Sequence, residues 1–264
     1  MLTAMMKKAL RKALRSVGYD ILRVGTGSPA DERKKLRHAF PDFAEEHLDT
    51  ILAVQEYTVT TPPRIFSLIE AVKYITSNDI PGDVVECGVW RGGSMMAVAR
   101  TLCRLEDERR HLYLFDTFEG FPPPEPIDVS FEGETAEHYL TNQSREERGS
   151  HWCYAPLGEV KEAMGTIGYK RDHIHFVKGP VEETIPDQAP ERIALLRLDT
   201  DWYKSTHHEL VHLYPRLSSG GVLIIDDYGH WRGAREATDE YIARNRLSLL
   251  LCRIDYTGRM AIKP

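Results

Sequence analysis

Residues 193–227 read IALLRLDTDWYKSTHHELVHLYPRLSSGGVLIIDD, and their pattern is the clearest indication of the fold. It holds two short apolar runs, 193–199 and 222–226, with helical spacing over 206–217 between them. Strands that are apolar throughout and are joined through a helix are typical of a parallel sheet covered on both faces. The stretch therefore predicts a β-α-β unit.

The same alternation extends over most of the chain. Further strands are predicted at 83–87, 112–116 and 173–178, two weak strands at 249–254 and 259–262, and helices at about 94–105, 157–167 and 233–244. The pattern predicts an α/β fold of the Rossmann-like, doubly wound type.

The length of 264 residues fits one α/β domain with a full hydrophobic core. We predict a helical, basic N-terminal extension over 1–50 and one main domain over 51–264. No apolar run approaches the roughly 18–20 residues that a membrane helix needs, and the N-terminal residues lack the apolar block of a secretory signal. A cytoplasmic protein without a transmembrane segment is therefore predicted.

Charge is spread unevenly along the chain, whose formal net charge is −6. The first forty residues carry +7 and the remainder −13, which argues against nucleic acid as the partner of the main domain. A basic amphipathic helix is predicted over 4–17. It could pack on the main domain or on a second subunit of a homo-oligomer, or it could lie on an anionic membrane surface.

The first predicted strand runs into a glycine-rich turn, ECGVWRGGS at 86–94. The turn is wider than the G-x-G-x-x-G of dinucleotide sites and suits a sulfonium amino acid, with Glu86 near the cation and Ser94 near the carboxylate. Asp116 ends the next strand, 28 residues after Gly88, where an acidic side chain commonly accepts hydrogen bonds from ribose hydroxyls. An adenosine-containing cofactor is predicted; a turn without function is the alternative.

Four aspartates follow the two apolar runs of the opening stretch: Asp199, Asp201, Asp226 and Asp227. Carboxylates clustered at buried strand ends need raised pKa values or a cation between them. Oxygen ligands without histidine or cysteine favour Mg²⁺, Mn²⁺ or Ca²⁺. The alternative is that these aspartates cap helices, but Thr206 with Glu209 has the spacing of a capping box and would serve the next helix itself.

These motifs resemble the macrocin O-methyltransferase (TylF-type) family. The residues that carry the resemblance are 196–241 (with DTD and IIDD), ECGVWRGGS, LYLFDTFEGFP at 112–122 and, more weakly, 56–72 and 177–187. The resemblance covers roughly residues 50–245. It implies a class I methyltransferase fold with a mostly parallel seven-stranded sheet, whose last strand is reversed.

The resemblance also implies a reaction: Mg²⁺- (or Mn²⁺-) dependent transfer of a methyl group from S-adenosylmethionine to a sugar hydroxyl. Acceptors would be natural-product deoxysugars, polysaccharides or oligosaccharides. The implied metal ligands are Asp199, Asp226 and Asp227, and the implied general base is Asp201. The implied cofactor residues are Glu86, Gly88, Ser94, Asp116, Tyr57, Thr60 and Thr61, the last three from a segment that also contains Thr58 and closes over cofactor and substrate.

A long polar insertion over 121–155 matches no motif of the family. A loop of this length commonly covers a binding site, so we predict a substrate lid. Its His138, His151 and Trp152 are candidates for contact with the acceptor, with surface positions as the alternative. His230 could orient an acceptor hydroxyl or could be structural.

Two other functions compete with this hypothesis. A catechol-type methyltransferase would use the same metal on a flat phenol in an apolar slot, whereas a sugar needs a polar, roomy cleft. A non-catalytic nucleoside-binding module would keep the fold without the chemistry. A nicotinamide dehydrogenase is disfavoured because G-x-G-x-x-G is absent.

Overall fold

The computed structural model describes residues 29–141 and 153–264 of the chain. The chain divides after Leu48 into two units. In the first unit, the described residues hold helix α1 (Pro29–Ala39) and the beginning of helix α2 (Glu45–Val54). The basic helix predicted over 4–17 lies outside the described residues.

The second unit contains the predicted alternation of strands and helices. Its elements are α3 (Pro62–Ser77), β1 (Asp83–Cys87), α4 (Gly93–Arg104), β2 (Leu112–Asp116), α5 (Ala136–Thr141), α6 (Leu157–Gly165), β3 (Ile174–Lys178), α7 (Val181–Thr184), β4 (Ile193–Leu198), α8 (Tyr203–Leu213), β5 (Leu217–Ile225), α9 (Arg232–Arg244), β6 (Cys252–Arg253) and β7 (Arg259–Ile262).

The strands form one sheet in the order β3–β2–β1–β4–β5–β7–β6. Strands β1 to β5 pair in parallel, and β7 is antiparallel to both of its neighbours. The predicted class I methyltransferase sheet with a reversed last strand is therefore confirmed. Chain order reverses between β1 and β4, and ligands bind in such sheets beyond the carboxyl ends of the strands at that point.

The core lies along the central strands. All six residues of β4 are buried, and Leu196 and Leu223 of the sheet belong to one apolar cluster with Leu210 and Leu213 of α8. The other residues of β4 are apolar, but Arg197 is charged and is still only 3% exposed. Among the described residues, no helix has both the length and the apolar character needed to cross a bilayer.

The predicted capping box at the start of α8 is wrong. The helix begins at Tyr203, and the cap comes from a distant residue: Asp128 Oδ1 accepts a hydrogen bond from Tyr203 N at 2.8 Å. Glu209 is fully buried and accepts from the Thr200 hydroxyl at 2.9 Å. Strand β5 also begins at Leu217, five residues before the predicted start.

Part of the predicted lid has regular structure. Isolated bridges join Val129 to Thr135 and Ser130 to Trp231, and helix α5 follows. The bridge to Trp231 ties the insertion to the residue that precedes α9. Residues 142–152 lie outside the described part of the chain.

Candidate active site

A cavity of about 550 Å³ opens at the carboxyl ends of β1, β2, β4 and β5. Its walls come from the glycine turn after β1, the aspartates after β4 and β5, the segment before α3 and the insertion after β2. The sheet order thus brings the two predicted half-sites, for cofactor and for metal, into one cavity.

Two positions after β1 require glycine because another backbone segment lies close to each: Asp199 is close to Gly88, and Tyr57 is close to Gly93. Gly88 has φ +83°, and a Cβ there would overlap the carbonyl oxygen of Asp199. Gly93 N donates to Tyr57 O at 3.0 Å, and a Cβ on Gly93 would lie 2.6 Å from that oxygen. Ser94, in the first turn of α4, is buried and lines the cavity.

Asp116 lines the cavity and holds the glycine turn in place. Its Oδ2 accepts hydrogen bonds from Val89 N at 2.7 Å and Trp90 N at 2.9 Å, and its Oδ1 accepts from Phe118 N at 2.7 Å. Burial raises the pKa of Asp116, although these backbone donors stabilise the charged form. A contact with ribose stays a prediction for this residue.

The predicted metal ligands lie together. Carboxylate oxygens of Asp199, Asp226 and Asp227 are within 4.8 Å of one another, because β4 and β5 are neighbours in register up to the residues just before them. Burial raises the pKa values of Asp199 and Asp227 well above the ordinary range. Burial acts likewise on Asp226, but two neighbouring arginines outweigh it and hold that pKa below its usual value.

Asp201, the predicted general base, adjoins this cluster and lines the cavity. It has a left-handed backbone conformation, φ +65°, which is uncommon outside glycine. Burial and the charge of Asp199 raise the pKa of Asp201 to about 8, while hydrogen bonds with Asp227 and Trp231 oppose the rise.

Sequence reasoning missed the two arginines of the site. Arg197 contacts Asp199 Oδ2 and Asp226 Oδ1, both at 2.7 Å. Arg64, on α3, pairs with Asp226 through Nη1 and lies 3.2 Å from Asp255 Oδ2 through Nε. A charged residue inside an apolar strand could have singled out Arg197, whereas no sequence signal distinguishes Arg64.

Glu86 occupies a different place from the one predicted. It is 1% exposed, it is not part of the cavity wall, and its Oε1 accepts from Arg197 Nη1 at 2.5 Å. A contact between Glu86 and a cofactor stays a prediction.

The segment before α3 is only partly in the cavity wall. Thr58 and Thr60 line the cavity. Thr61 instead caps α3 by accepting from Arg64 N, and Tyr57 lies behind the wall, against Gly93. The predicted role of this segment in closing over ligands is untested.

The predicted acceptor residues separate into three groups. His230 lines the cavity, and burial and Arg64 lower its pKa. His138 is exposed on α5 and lies outside the cavity wall, to which Tyr139 and Leu140 of the same helix contribute. His151 and Trp152 lie outside the described residues.

An aromatic wall beside Asp201 was not anticipated from the sequence. Trp202 and Trp231 pack edge to face with ring centroids 4.9 Å apart, and Phe121 and Tyr139 extend the wall at 4.8 and 5.8 Å. Trp202 Nε1 donates to Pro122 O at 3.1 Å, which fastens the insertion to the loop that carries Asp201.

Aromatic side chains also lie on the exposed side of the cavity. Tyr256, which lines the cavity, is 42% exposed, and its hydroxyl lies 3.2 Å from His230 Nδ1. Phe131 is 49% exposed and packs against both rings. A ligand that fills the cavity can therefore continue onto aromatic surface at its mouth.

Comparisons with known proteins agree with this geometry. Residues 28–262 match the family described as Macrocin-O-methyltransferase (TylF). The chain is 35% identical over 203 residues to the mycinamicin III 3''-O-methyltransferase of Micromonospora griseorubida, covering 76% of each chain.

Two further matches are similar in extent. A tetracenomycin 4'-O-methyltransferase of Streptomyces olivaceus, named for its 8-demethyl-8-(2,3-dimethoxy-alpha-L-rhamnosyl)-tetracenomycin-C substrate, is 33% identical over 202 residues, covering 76% of this chain and 74% of the relative. The solved structure of the O-methyltransferase NovP superposes with a TM-score of 0.66 at 30% identity, covering 78% of this chain and 82% of that one.

Proposed function

The chain belongs to the macrocin O-methyltransferase family and is an O-methyltransferase, and from that premise we propose that it methylates a sugar hydroxyl with S-adenosylmethionine and Mg²⁺. One observation carries the proposal. The glycine turn after β1 and four aspartates after β4 and β5 open into the same cavity. The cofactor and acceptor half-sites are therefore adjacent.

The cofactor half of the cavity fits an adenosine with an amino-acid tail. Backbone approaches so closely at Gly88 that a side chain is excluded, and Ser94 lies at the start of α4, where backbone N–H groups favour an anion such as a carboxylate. When bound, S-adenosylmethionine supplies an electrophilic methyl group. The residues of this half hold and orient that donor.

The aspartate cluster fits a divalent cation. Three carboxylates within 4.8 Å of one another carry more negative charge than Arg64 and Arg197 balance, so a cation among them would lower the remaining repulsion. Among the described residues, Asp226 Oδ1 is buried without a hydrogen bond, although Arg197 Nη2 lies 2.7 Å away. Asp199, Asp226 and Asp227 would hold Mg²⁺ or Mn²⁺, which would supply Lewis-acid polarisation of the acceptor hydroxyl and so lower its pKa.

We assign removal of the acceptor proton to Asp201. This carboxylate lines the cavity beside the cluster, so it is placed to accept a proton from a hydroxyl group that the cavity holds there. A hydrogen bond from Trp231 holds the side chain, so its orientation is set before the acceptor arrives.

The acceptor half suits a sugar with an apolar face. Carboxylates offer hydrogen-bond acceptors for hydroxyl groups, while Trp202, Trp231 and Tyr139 offer rings against which a sugar can stack. The two curated relatives named above act on sugars attached to natural products, which supports this class. A catechol-type acceptor is the second candidate, since the same wall could hold a flat phenol.

Calorimetric titration of S-adenosylmethionine, NADH and Mg²⁺, each with and without EDTA, tests the cofactor and the metal. We expect micromolar binding of S-adenosylmethionine, a separate Mg²⁺ site and no binding of NADH. Binding of the methyl donor without a metal site would leave the aspartates with structural roles.

Transfer of radiolabelled methyl groups tests the acceptor class. We expect Mg²⁺-dependent labelling of neutral glycosides such as rhamnosides and no labelling of catechol. Labelling of catechol alone would favour the second candidate, and binding without any transfer across both acceptor sets would favour the non-catalytic module.

A further inference from the structure

Arg197 is the charged residue in the centre of the sheet, and it connects Glu86 to the aspartate cluster. We propose that Glu86 and Arg197 are positioning residues: Glu86 holds Arg197, and Arg197 holds Asp199 and Asp226 in place for the cation. This inference rests on the proposed Mg²⁺ site.

The sheet register creates the arrangement. Glu86 of β1 and Arg197 of β4 are paired neighbours in the parallel ladder, and Asp226 follows β5 on the other side of β4. Asp199 comes two residues after Arg197, so both side chains lie on the same face. Three adjacent strands thereby contribute one continuous chain of charges.

Both terminal nitrogens of the guanidinium contact acceptors. Its Nη1 donates to Glu86 Oε1 at 2.5 Å and to Asp199 Oδ2 at 2.7 Å, and its Nη2 lies 2.7 Å from Asp226 Oδ1 and donates to Thr60 Oγ1 at 3.2 Å. A planar guanidinium fixes the directions of its donors. It therefore fixes the orientation of Asp199 through a hydrogen bond, and it holds Asp226 through an ion pair.

Burial explains why Glu86 is needed. Arg197 is 3% exposed and Glu86 is 1% exposed, so each charge depends on the partners that contact it. Without Glu86, the guanidinium would be shared only among the two aspartates and a hydroxyl. It would then compete more strongly with a cation for Asp199 and Asp226.

The arrangement also separates Glu86 from the cofactor. Glu86 is not among the residues that line the cavity, and its Oε1 accepts a hydrogen bond from Arg197. A residue in that place affects metal affinity through the aspartates, whereas a residue that touches the methyl donor affects donor affinity directly. The two roles predict different binding results.

Glu86→Gln tests the inference by calorimetry. We expect Mg²⁺ affinity to fall by about 10–100-fold, the usual effect of removing a partner of metal ligands. S-adenosylmethionine affinity measured in EDTA should change by less than about twofold on the same reasoning. Unchanged Mg²⁺ affinity would overturn the inference, and so would an equal loss of donor affinity in EDTA.

Arg197→Lys provides a second variant, because it keeps the charge but loses the fork that reaches several acceptors. We expect it to lose Mg²⁺ affinity to a similar extent, and unchanged affinity would contradict the role of the fork. If Glu86→Gln does not fold, Glu86→Asp replaces it: the charge is kept, the reach is shorter, and Mg²⁺ affinity should still fall.

Asp107→Asn is the matched control. Asp107 and Arg110 form another buried pair, 6% and 4% exposed, outside the cavity wall. This variant should lower thermal stability and leave Mg²⁺ affinity unchanged. Wild-type protein that binds no Mg²⁺ would overturn the proposed metal site itself, whereas binding that is equal in wild type and Glu86 variants would overturn only the positioning role.

Discussion

Asp226 is the aspartate with the most positive surroundings, since both Arg64 and Arg197 contact it. Its pKa is held low, so it is charged at neutral pH and available to a cation. Asp226→Asn should therefore weaken Mg²⁺ binding and abolish turnover while leaving S-adenosylmethionine affinity mostly intact. Calorimetry with both ligands and a methyl-transfer assay check this expectation. An active variant that does not need metal would refute the metal assignment.

Asp201 differs from Asp226 because its proposed role is to accept a proton. Asp201→Asn keeps the shape and the size of the side chain but cannot accept the acceptor proton. We expect kcat to fall by about 10²–10⁴-fold, the usual contribution of a general base, with Mg²⁺ and cofactor affinities retained. Steady-state kinetics measure the effect.

A control for Asp201→Asn is Glu240→Gln, which makes the same chemical change on the exposed face of α9, where Glu240 accepts from the Tyr203 hydroxyl. This variant should have normal kinetics. A near-normal rate for Asp201→Asn would mean that the proton leaves by another route.

At the scale of elements, the turn between β1 and α4 depends on Gly88. Alanine there would combine a strained positive φ with overlap against the Asp199 carbonyl oxygen. Gly88→Ala should lower the free energy of unfolding by roughly 2–5 kcal/mol, from backbone strain and overpacking together. Urea unfolding followed by circular dichroism measures the change.

Gly158→Ala is the matched control for that substitution. Gly158 lies in helix α6, and a Cβ there meets nothing within 4 Å. Alanine should therefore leave the free energy of unfolding unchanged or raise it by up to about 0.5 kcal/mol, since Gly158 is in the first turn and glycine costs most in the middle of a helix. Equal destabilisation by both substitutions would show that the close approach at Gly88 is unimportant.

The start of α8 illustrates how elements are joined over long distances. Local spacing indicated Thr206 as the cap, but Asp128 of the insertion caps the helix at Tyr203. The same carboxylate accepts from Glu125 N at 2.7 Å, so it organises the insertion and the helix together. The loop that carries Asp201 is held by contacts from a segment more than seventy residues earlier.

At the scale of the whole molecule, ligand binding should raise thermal stability. A cofactor at a hundred times its Kd stabilises the native state by about 2.7 kcal/mol, which corresponds to a rise in Tm of roughly 5–10 °C for a domain of this size. S-adenosylmethionine should produce this shift in EDTA, and Mg²⁺ should add to it. Differential scanning calorimetry of wild type and Asp226→Asn checks both effects; an Mg²⁺ shift that persists in the variant would contradict the assignment.

Several expectations about the surroundings of the molecule stay predictions. They are the cytoplasmic location, the absence of a nucleic-acid partner and a homo-oligomer formed through the basic helix over 4–17. They rest on charge and hydropathy alone, and the residues of that helix lie outside the described part of the chain.

Local sequence patterns were enough to predict most strands and helices and the residue types of the site. Apolar runs and helical periodicity are local, and so is the position of an aspartate directly after a strand. Three contacts became visible when the chain was folded: Glu86 with Arg197, Arg64 with Asp226, and Asp128 with the start of α8. These partners are 111, 162 and 75 residues apart in the chain. They meet only when neighbouring strands align and the insertion folds back, because contacts at such separations depend on packing and leave no periodic signal in the sequence.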